Sequence, residues 1–441
     1  MRIAIPRRAW LCLAALWLAG CSVSRPYRPL DLPPSARLVE VSAADRGSTD
    51  PDAGVRPAAY RPRNVLVLSG GGQNGAYTVG VLNGWTAAGT RPTFDVVTGI
   101  STGALIAPFA FLGPAYDEAL AKGYTEVQAG DILSRRPVLS LLFADSLAES
   151  KPLRRRIAAA VTPEVLAAVA RGHAQGRRLY VGTTDLDDKR LVVWDMGAIA
   201  AGNDPNKLEL FRNVLLASAS YPGVLPPVTI NVQVDGRRYS ELHVDGGVTA
   251  SLFLQPVMLG LNPNRTDADG DEATVYVIVA GKLRPVPKPV LRQLLVVAED
   301  SVSGILQSRF EGDLLKTYLL ARFAGARFAL TAVPEDFPEP ADSLAFDQSA
   351  MQALFAQGYR SGRGGDWLSL PPTLTPGEHP PPRQGIIFTV QEAPAATIGT
   401  PAEAGHERPG AAVSTLLDRV REDMRRAAQS TPKASEPPGA P

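Results

Sequence analysis

Ser101 stands in Gly99-Ile100-Ser101-Thr102-Gly103, between the apolar run "FDVVT" and a stretch of small and apolar residues, "GALIAPFAFLG". Strand, sharp turn and helix in that order suit a serine nucleophile. The turn projects the hydroxyl out of the sheet, and glycines two residues to either side let neighbouring backbone pass. Five residues alone are a weak pattern in a chain with 40 glycines. If Ser101 attacks an ester carbonyl, the tetrahedral intermediate carries an oxyanion that N–H groups already in place must stabilise.

A second turn offers such donors. Ser69-Gly70-Gly71-Gly72 follows the apolar "NVLVL" and leads into "YTVGVLNGWTAAG", which reads as a helix ending at Gly89. Gly70, Gly71 and Gly72, free of side chains at a helix N-terminus, can turn several amides toward one point. Gly70-x-Gly72-x-x-Gly75 also fits the dinucleotide fingerprint, and Asp95 lies about 20 residues on. That template wants its acid at the C-terminal end of the next strand, whereas Asp95 precedes it. No Gly-Lys-Ser/Thr follows, which excludes a Walker loop.

The serine needs a base. The chain has four histidines, His173, His243, His379 and His406. His379 lies in the proline-rich "GEHPPPR" and His406 in a loose tail, although the order Ser, Asp, His would permit a triad. Asp245, in "ELHVDGGVTA", is the better candidate, because Gly246 and Gly247 behind it allow close approach. His243, on the same strand face, reads either as a supporting partner of Asp245 or as a satisfied core histidine. Asp185, Asp187 and Asp188 read as turn formers.

"SGGGQNGA", "GISTG" and "VDGG", in that order, resemble the patatin-like phospholipase family, as do "VGTTDLDDKRLVVWD" and "LLASASYPGVLPPV". The resemblance is close over about Asn64 to Val257 and looser to about Leu370. It implies a Ser–Asp dyad without histidine: Ser101 as nucleophile, Asp245 as general base, Gly70, Gly71 and Gly72 as oxyanion hole, no cofactor and no metal. It also implies a three-layer α/β sandwich with a mostly parallel central sheet and helices on both faces. Asn74 stands where the family commonly has Arg or Lys.

The 441 residues, 45% hydrophobic, suffice for a large core. "MRIAIPRRAWLCLAALWLAGCS" has the basic start and short apolar run of an export signal, and Leu18-Ala19-Gly20-Cys21 resembles a bacterial lipobox. Cleavage would leave Cys21 as a lipid anchor, with Ser22 behind it pointing to the outer membrane, periplasmic or surface face. It would also remove Cys12, leaving no disulfide. Loss of Arg2, Arg7 and Arg8 takes the formal charge from +1 to about −2, which implies no nucleic-acid partner.

The expected divisions are a signal over 1–20, a flexible tether over 21–63, a catalytic core over 64–257, the rest of the same domain over 258–392, and a Pro/Ala-rich tail over 393–441. In the tail Val413, Leu416, Leu417, Val420 and Met424 recur at helical spacing. Helices are expected over Pro152–Val169, Lys207–Ser218 and Val290–Phe323, with a kink or break at Pro108. "DADGDE", Asp267 to Glu272, has the wrong spacing for a calcium loop. Three functions remain open: a lipid acyl hydrolase acting on membrane glycerolipids, a histidine-dependent esterase of small esters, and a non-catalytic lipid-binding lipoprotein.

Overall fold

A computed structural model describes residues 62–136, 145–234, 237–261, 273–286, 289–290, 292–338 and 343–374. All belong to one compact unit within Met1–His379. The signal and Cys21, the tether, the "DADGDE" loop, His379, His406 and the tail helix lie outside the described residues.

In chain order the elements are β1 (Asn64–Leu68), α1 (Gly75–Ala87), β2 (Val96–Ile100), α2 (Thr102–Leu112), α3 (Asp117–Thr125), α4 (Lys151–Ala160) and α5 (Pro163–Ala174). There follow β3 (Arg178–Asp185), β4 (Arg190–Asp195), α6 (Met196–Ala201), α7 (Lys207–Ser218), β5 (Val228–Val234) and β6 (Arg237–Asp245). The last four are β7 (Thr274–Val279), α8 (Leu294–Phe323), β8 (Arg327–Ala332) and α9 (Gln348–Gly364). Two expectations are corrected. The run from Pro152 to Val169 is two helices, because Thr162 caps α5 through the Val165 N–H and Pro163 begins a new first turn. The chain does not break at Pro108: α2 continues to Leu112, its loss of one hydrogen bond offset by burial of Phe109 and Phe111.

The sheet is mixed α/β, ordered β8-β7-β1-β2-β3-β6-β5, with β4 also on β3. From β8 to β3 the strands are parallel, and β4, β6 and β5 join antiparallel. Alternation splits β1 between two cores: Leu66 and Leu68 face one, Val65 and Val67 the other. The first core is covered by helices α1 to α7 and α9. On the second, α8 supplies Phe310, Leu314 and Ala321, and the segment from Ala250 to Leu259 supplies the rest of the cover. Helices therefore occupy both faces, but unequally.

One feature of the register governs the site. β4 pairs with β3 from Tyr180 opposite Asp195 to Asp185 opposite Arg190, filling one edge of β3. On the other edge, β2 runs alongside as far as Ile100 opposite Gly182. β6 then arrives from the opposite direction, with Asp245 opposite Thr183. Two strands thus abut end to end on one edge of β3, bringing Ser101 and Asp245 to the same seam.

Helix α1, which leads out of the glycine turn, is held by α9 through four glycines. A β-carbon on Gly80 or Gly84 would lie 2.2 or 2.1 Å from the carbonyl oxygens of Phe355 and Tyr359. One on Gly358 or Gly362 would lie 2.1 Å from those of Tyr77 and Val81. The two backbones touch, so no side chain fits between them. Gly362→Val is expected to cost about 3 kcal/mol or more in chemical denaturation. Gly123→Ala, in α3 with open space around it, should instead stabilise by about 0.5–1 kcal/mol. Equal effects would refute the backbone contact.

Candidate active site

β2 ends at Ile100, and Ser101 turns with φ 55° and ψ −124°. A non-glycine residue there stores about 1–3 kcal/mol of strain, so the surroundings must enforce it. The Ser101 N–H donates to Ser218 Oγ at 3.0 Å, and Ser218 Oγ donates in turn to the Gly182 carbonyl at 2.7 Å. Ser218, fully buried at the end of α7, thereby fills the seam where β2 stops. The flanking glycines have steric reasons: a β-carbon on Gly99 would lie 2.5 Å from the Gly103 carbonyl oxygen, and one on Gly103 2.6 Å from that of Ser69.

Ser101 Oγ donates to Asp245 Oδ2 at 2.6 Å, and the Gly247 N–H donates to Asp245 Oδ1 at 2.7 Å. Asp245 is fixed at both ends of its backbone, its N–H on the Ser220 carbonyl and its own carbonyl accepting from Thr184 Oγ1. Gly246 passes so close to β3 that a β-carbon would lie 2.6 Å from the Gly182 oxygen. Asp245 is 3% exposed, and burial pushes its carboxyl up to about 6 even though the Ser101 and Gly247 donors favour the charged form. A carboxylate in that range is a far better proton acceptor than one in water.

The glycine turn lies against Ser101: a β-carbon on Gly70 would be 3.1 Å from Ser101 Cβ. Gly70 is nevertheless corrected as an oxyanion donor, because its N–H is already committed to the Ser251 carbonyl at 3.2 Å. The N–H groups of Gly71 and Gly72 have no partner among the described residues. Both glycines bend past backbone, with a β-carbon on Gly71 falling 2.1 Å from the Ala280 oxygen and one on Gly72 2.3 Å from the Ser343 oxygen. The turn is anchored from the C-terminal side of the chain: the Gln73 N–H donates to the Ser343 carbonyl, and Gln73 Oε1 accepts from the Asp347 N–H. Asn74 Oδ1 is buried without a hydrogen-bond partner among the described residues.

The described histidines are engaged elsewhere. His243, fully buried, lies between Thr183 Oγ1 (3.0 Å from Nδ1) and Glu241 Oε2 (3.1 Å from Nε2). Trp194 Nε1 donates to the same Thr183 hydroxyl. This is the satisfied core histidine, and its hydrogen bonds go to Thr183 and Glu241 rather than to Asp245. His173 Nδ1 is 3.6 Å from Asp195 Oδ1. Asp185 is a turn former, accepting from the Asp187 N–H. Among the described residues no cluster of His, Cys, Asp or Glu is arranged to hold a metal. Ser218 and Thr184 are the supporting residues that sequence reasoning missed.

Comparison with known families and structures adds the following. Residues 66–258 match the family model described as patatin-like phospholipase. The matched segment carries the turn at Ser101, the glycine turn and Asp245, within two residues of the boundaries that the motifs mark out. No curated protein matches the chain. Similar solved structures include VipD from Legionella pneumophila, 11% identical with a TM-score of 0.35, the match covering 69% of this chain and 67% of VipD. The type III effector protein ExoU is 14% identical with a TM-score of 0.30, covering 69% of this chain and 52% of ExoU.

Two substitutions test the geometry. Folding raises the Asp245 pKa from 3.8 to about 6, so this carboxyl favours the native state below pH 4 and that advantage is lost as pH rises through 6. Asp245→Asn should therefore be more stable than wild type at pH 8, by up to about 3 kcal/mol, with no gain at pH 4; a gain independent of pH would contradict the burial effect. Ser218→Ala leaves the Ser101 N–H unpaired, and should lose about 1–3 kcal/mol of stability and about tenfold or more in kcat. Unfolding curves and steady-state kinetics read both effects.

Proposed function

We propose that the chain is a serine lipid acyl hydrolase of the phospholipase A type, working through a Ser101–Asp245 dyad. The hydrogen bond from Ser101 Oγ to the buried Asp245 carboxylate carries this reading; the family match over residues 66–258 supports lipid hydrolysis in general. Ser101 Oγ bonds to the ester carbonyl carbon while its proton passes to Asp245 Oδ2, and the Gly71 and Gly72 amides stabilise the oxyanion. Collapse breaks the ester C–O bond, the departing alkoxide takes the proton from Asp245, and the acyl group remains on Ser101. A water deprotonated by Asp245 then releases the fatty acid.

Exposed apolar side chains beside the dyad favour a lipid over a small soluble ester. Tyr221 follows Ser220, whose carbonyl holds the Asp245 N–H, and Val248 lies in the turn after Asp245. Leu147 donates its N–H to the Gly223 carbonyl in the same loop cluster. Together they offer acyl chains a wet-edged apolar landing. The lipobox reading complements this. Anchored through Cys21 in a bacterial envelope, at the outer membrane to which Ser22 points, the enzyme would meet glycerolipid at high local concentration.

The test is mass-spectrometric analysis of products from mixed bacterial phospholipid vesicles. Wild type should give fatty acid and lysolipid, Ser101→Ala at least about 10³-fold less. Since Asp245 must be ionised to accept a proton, kcat/KM should rise with pH to a plateau above about 6. Undiminished turnover by Ser101→Ala, or loss of activity on substituting His243, His379 and His406 in a folded chain, would overturn the dyad.

A further inference from the structure

On the sheet face that α8 covers, a cavity of about 280 Å³ opens between that helix, the turn joining β3 to β4 and the segment following the Asp245 turn. Its floor is apolar, with Leu191 and Phe253. Its charged lining is strongly biased: Lys189, Arg190, Arg309 and Lys316 stand with a single acid, Asp313. Arg309, Asp313 and Lys316 follow one another at helical spacing along α8, and Lys189 and Arg190 come from the opposite wall. Among the described residues Arg190 Nε meets Asp188 at 3.3 Å, whereas Lys189, Arg309 and Lys316 form no ion pair of their own. Asp313 accepts from the Ser251 N–H at 2.8 Å and is close enough to Arg309 and Lys316 to feel both charges, so one carboxylate is shared among the cations.

Four cations line this one opening, Lys189, Arg309 and Lys316 at exposed positions, and their like charges repel one another. The lowest-energy way to discharge such a cluster is a compact anion with several acceptor oxygens, which two guanidinium forks and two ammonium groups can share. The volume lies just below the usual range for drug-sized ligands, enough for a headgroup but not for a whole lipid. We propose that this cavity is a binding site for a phosphate group, presented either by a lipid headgroup or by a free phosphate ester. The site borders the catalytic centre through one residue: Ser251 gives its N–H to Asp313 and takes the Gly70 N–H on its carbonyl. Asp313 therefore lies two hydrogen bonds from the glycine turn.

The inference does not use Ser101 chemistry, and its test reads binding apart from turnover. Full-length chain is compared with Arg309→Glu/Lys316→Glu and with a control, Arg155→Glu/Arg171→Glu, which makes the same charge change at exposed positions on α4 and α5 across the sheet. Two probes are used: inorganic phosphate followed by calorimetry, and flotation with phosphatidylcholine vesicles with or without one-third phosphatidylglycerol. Wild type and control should bind phosphate alike, and the cavity variant at least tenfold more weakly. If the headgroup is the source, preference for the phosphatidylglycerol vesicles falls to the same extent in the cavity variant alone. Loss of phosphate binding with unchanged vesicle preference supports the site and assigns it to free phosphate esters. Identical behaviour of cavity and control variants with both probes, or no phosphate binding by wild type, overturns the proposal. Hydrolysis of a soluble short-chain ester should be unchanged in the cavity variant.

Discussion

The edge of β3 on which β2 stops and β6 begins is the constraint on which the rest of the site depends. Ile100 opposite Gly182 and Asp245 opposite Thr183 are consecutive positions on one strand, so Ser101 and the Asp245 carboxylate meet through backbone pairing, without a flexible loop having to bring them together. Such a junction interrupts the ladder and would leave the Gly182 carbonyl and the Ser101 N–H unsatisfied. Ser218 answers both with a single hydroxyl. The glycines around the seam follow from the same crowding, since two turns and a strand end share a space that side chains would fill.

That arrangement is held at an energetic cost. Ser101 carries backbone strain, and Asp245 sits where burial disfavours its charge. Both are maintained by packing distributed over a large core, much of it from beyond the family match. β7 lies beside β1 and takes the Ser69 N–H on Ile278, Ser343 and Asp347 hold Gln73, and α9 clamps α1 at backbone contact. The glycine turn is thus held by β7, by Ser343 and Asp347, and by α9 through α1.

Much of this was legible in the sequence, because local chemistry wrote it there. The strand, turn and helix around Ser101, the hairpin across Asp187 and Asp188, and the strand ending at Asp245 all follow from short-range pattern. What was not legible depends on distant segments. Gly70 reads as an oxyanion donor until Ser251 is seen to occupy its amide. Ser218 is one small residue in a helix end until Gly182 and Ser101 are placed on either side of it. Gly80, Gly84, Gly358 and Gly362 show regular spacing, but neither pair names its partner. Lys189 and Lys316 are separated by most of a domain and converge only once α8 lies across the second face.

The most direct measurement is titration of Ser101 with a fluorophosphonate, with the fraction of the Ser101 peptide modified and the residual phospholipid hydrolysis followed in the same samples. The account predicts that activity falls in proportion to modification at Ser101, reaching zero at one label per chain, and that Asp245→Asn labels far more slowly. Continued phospholipid turnover after Ser101 is fully modified, or loss of activity through label on another residue, would contradict it.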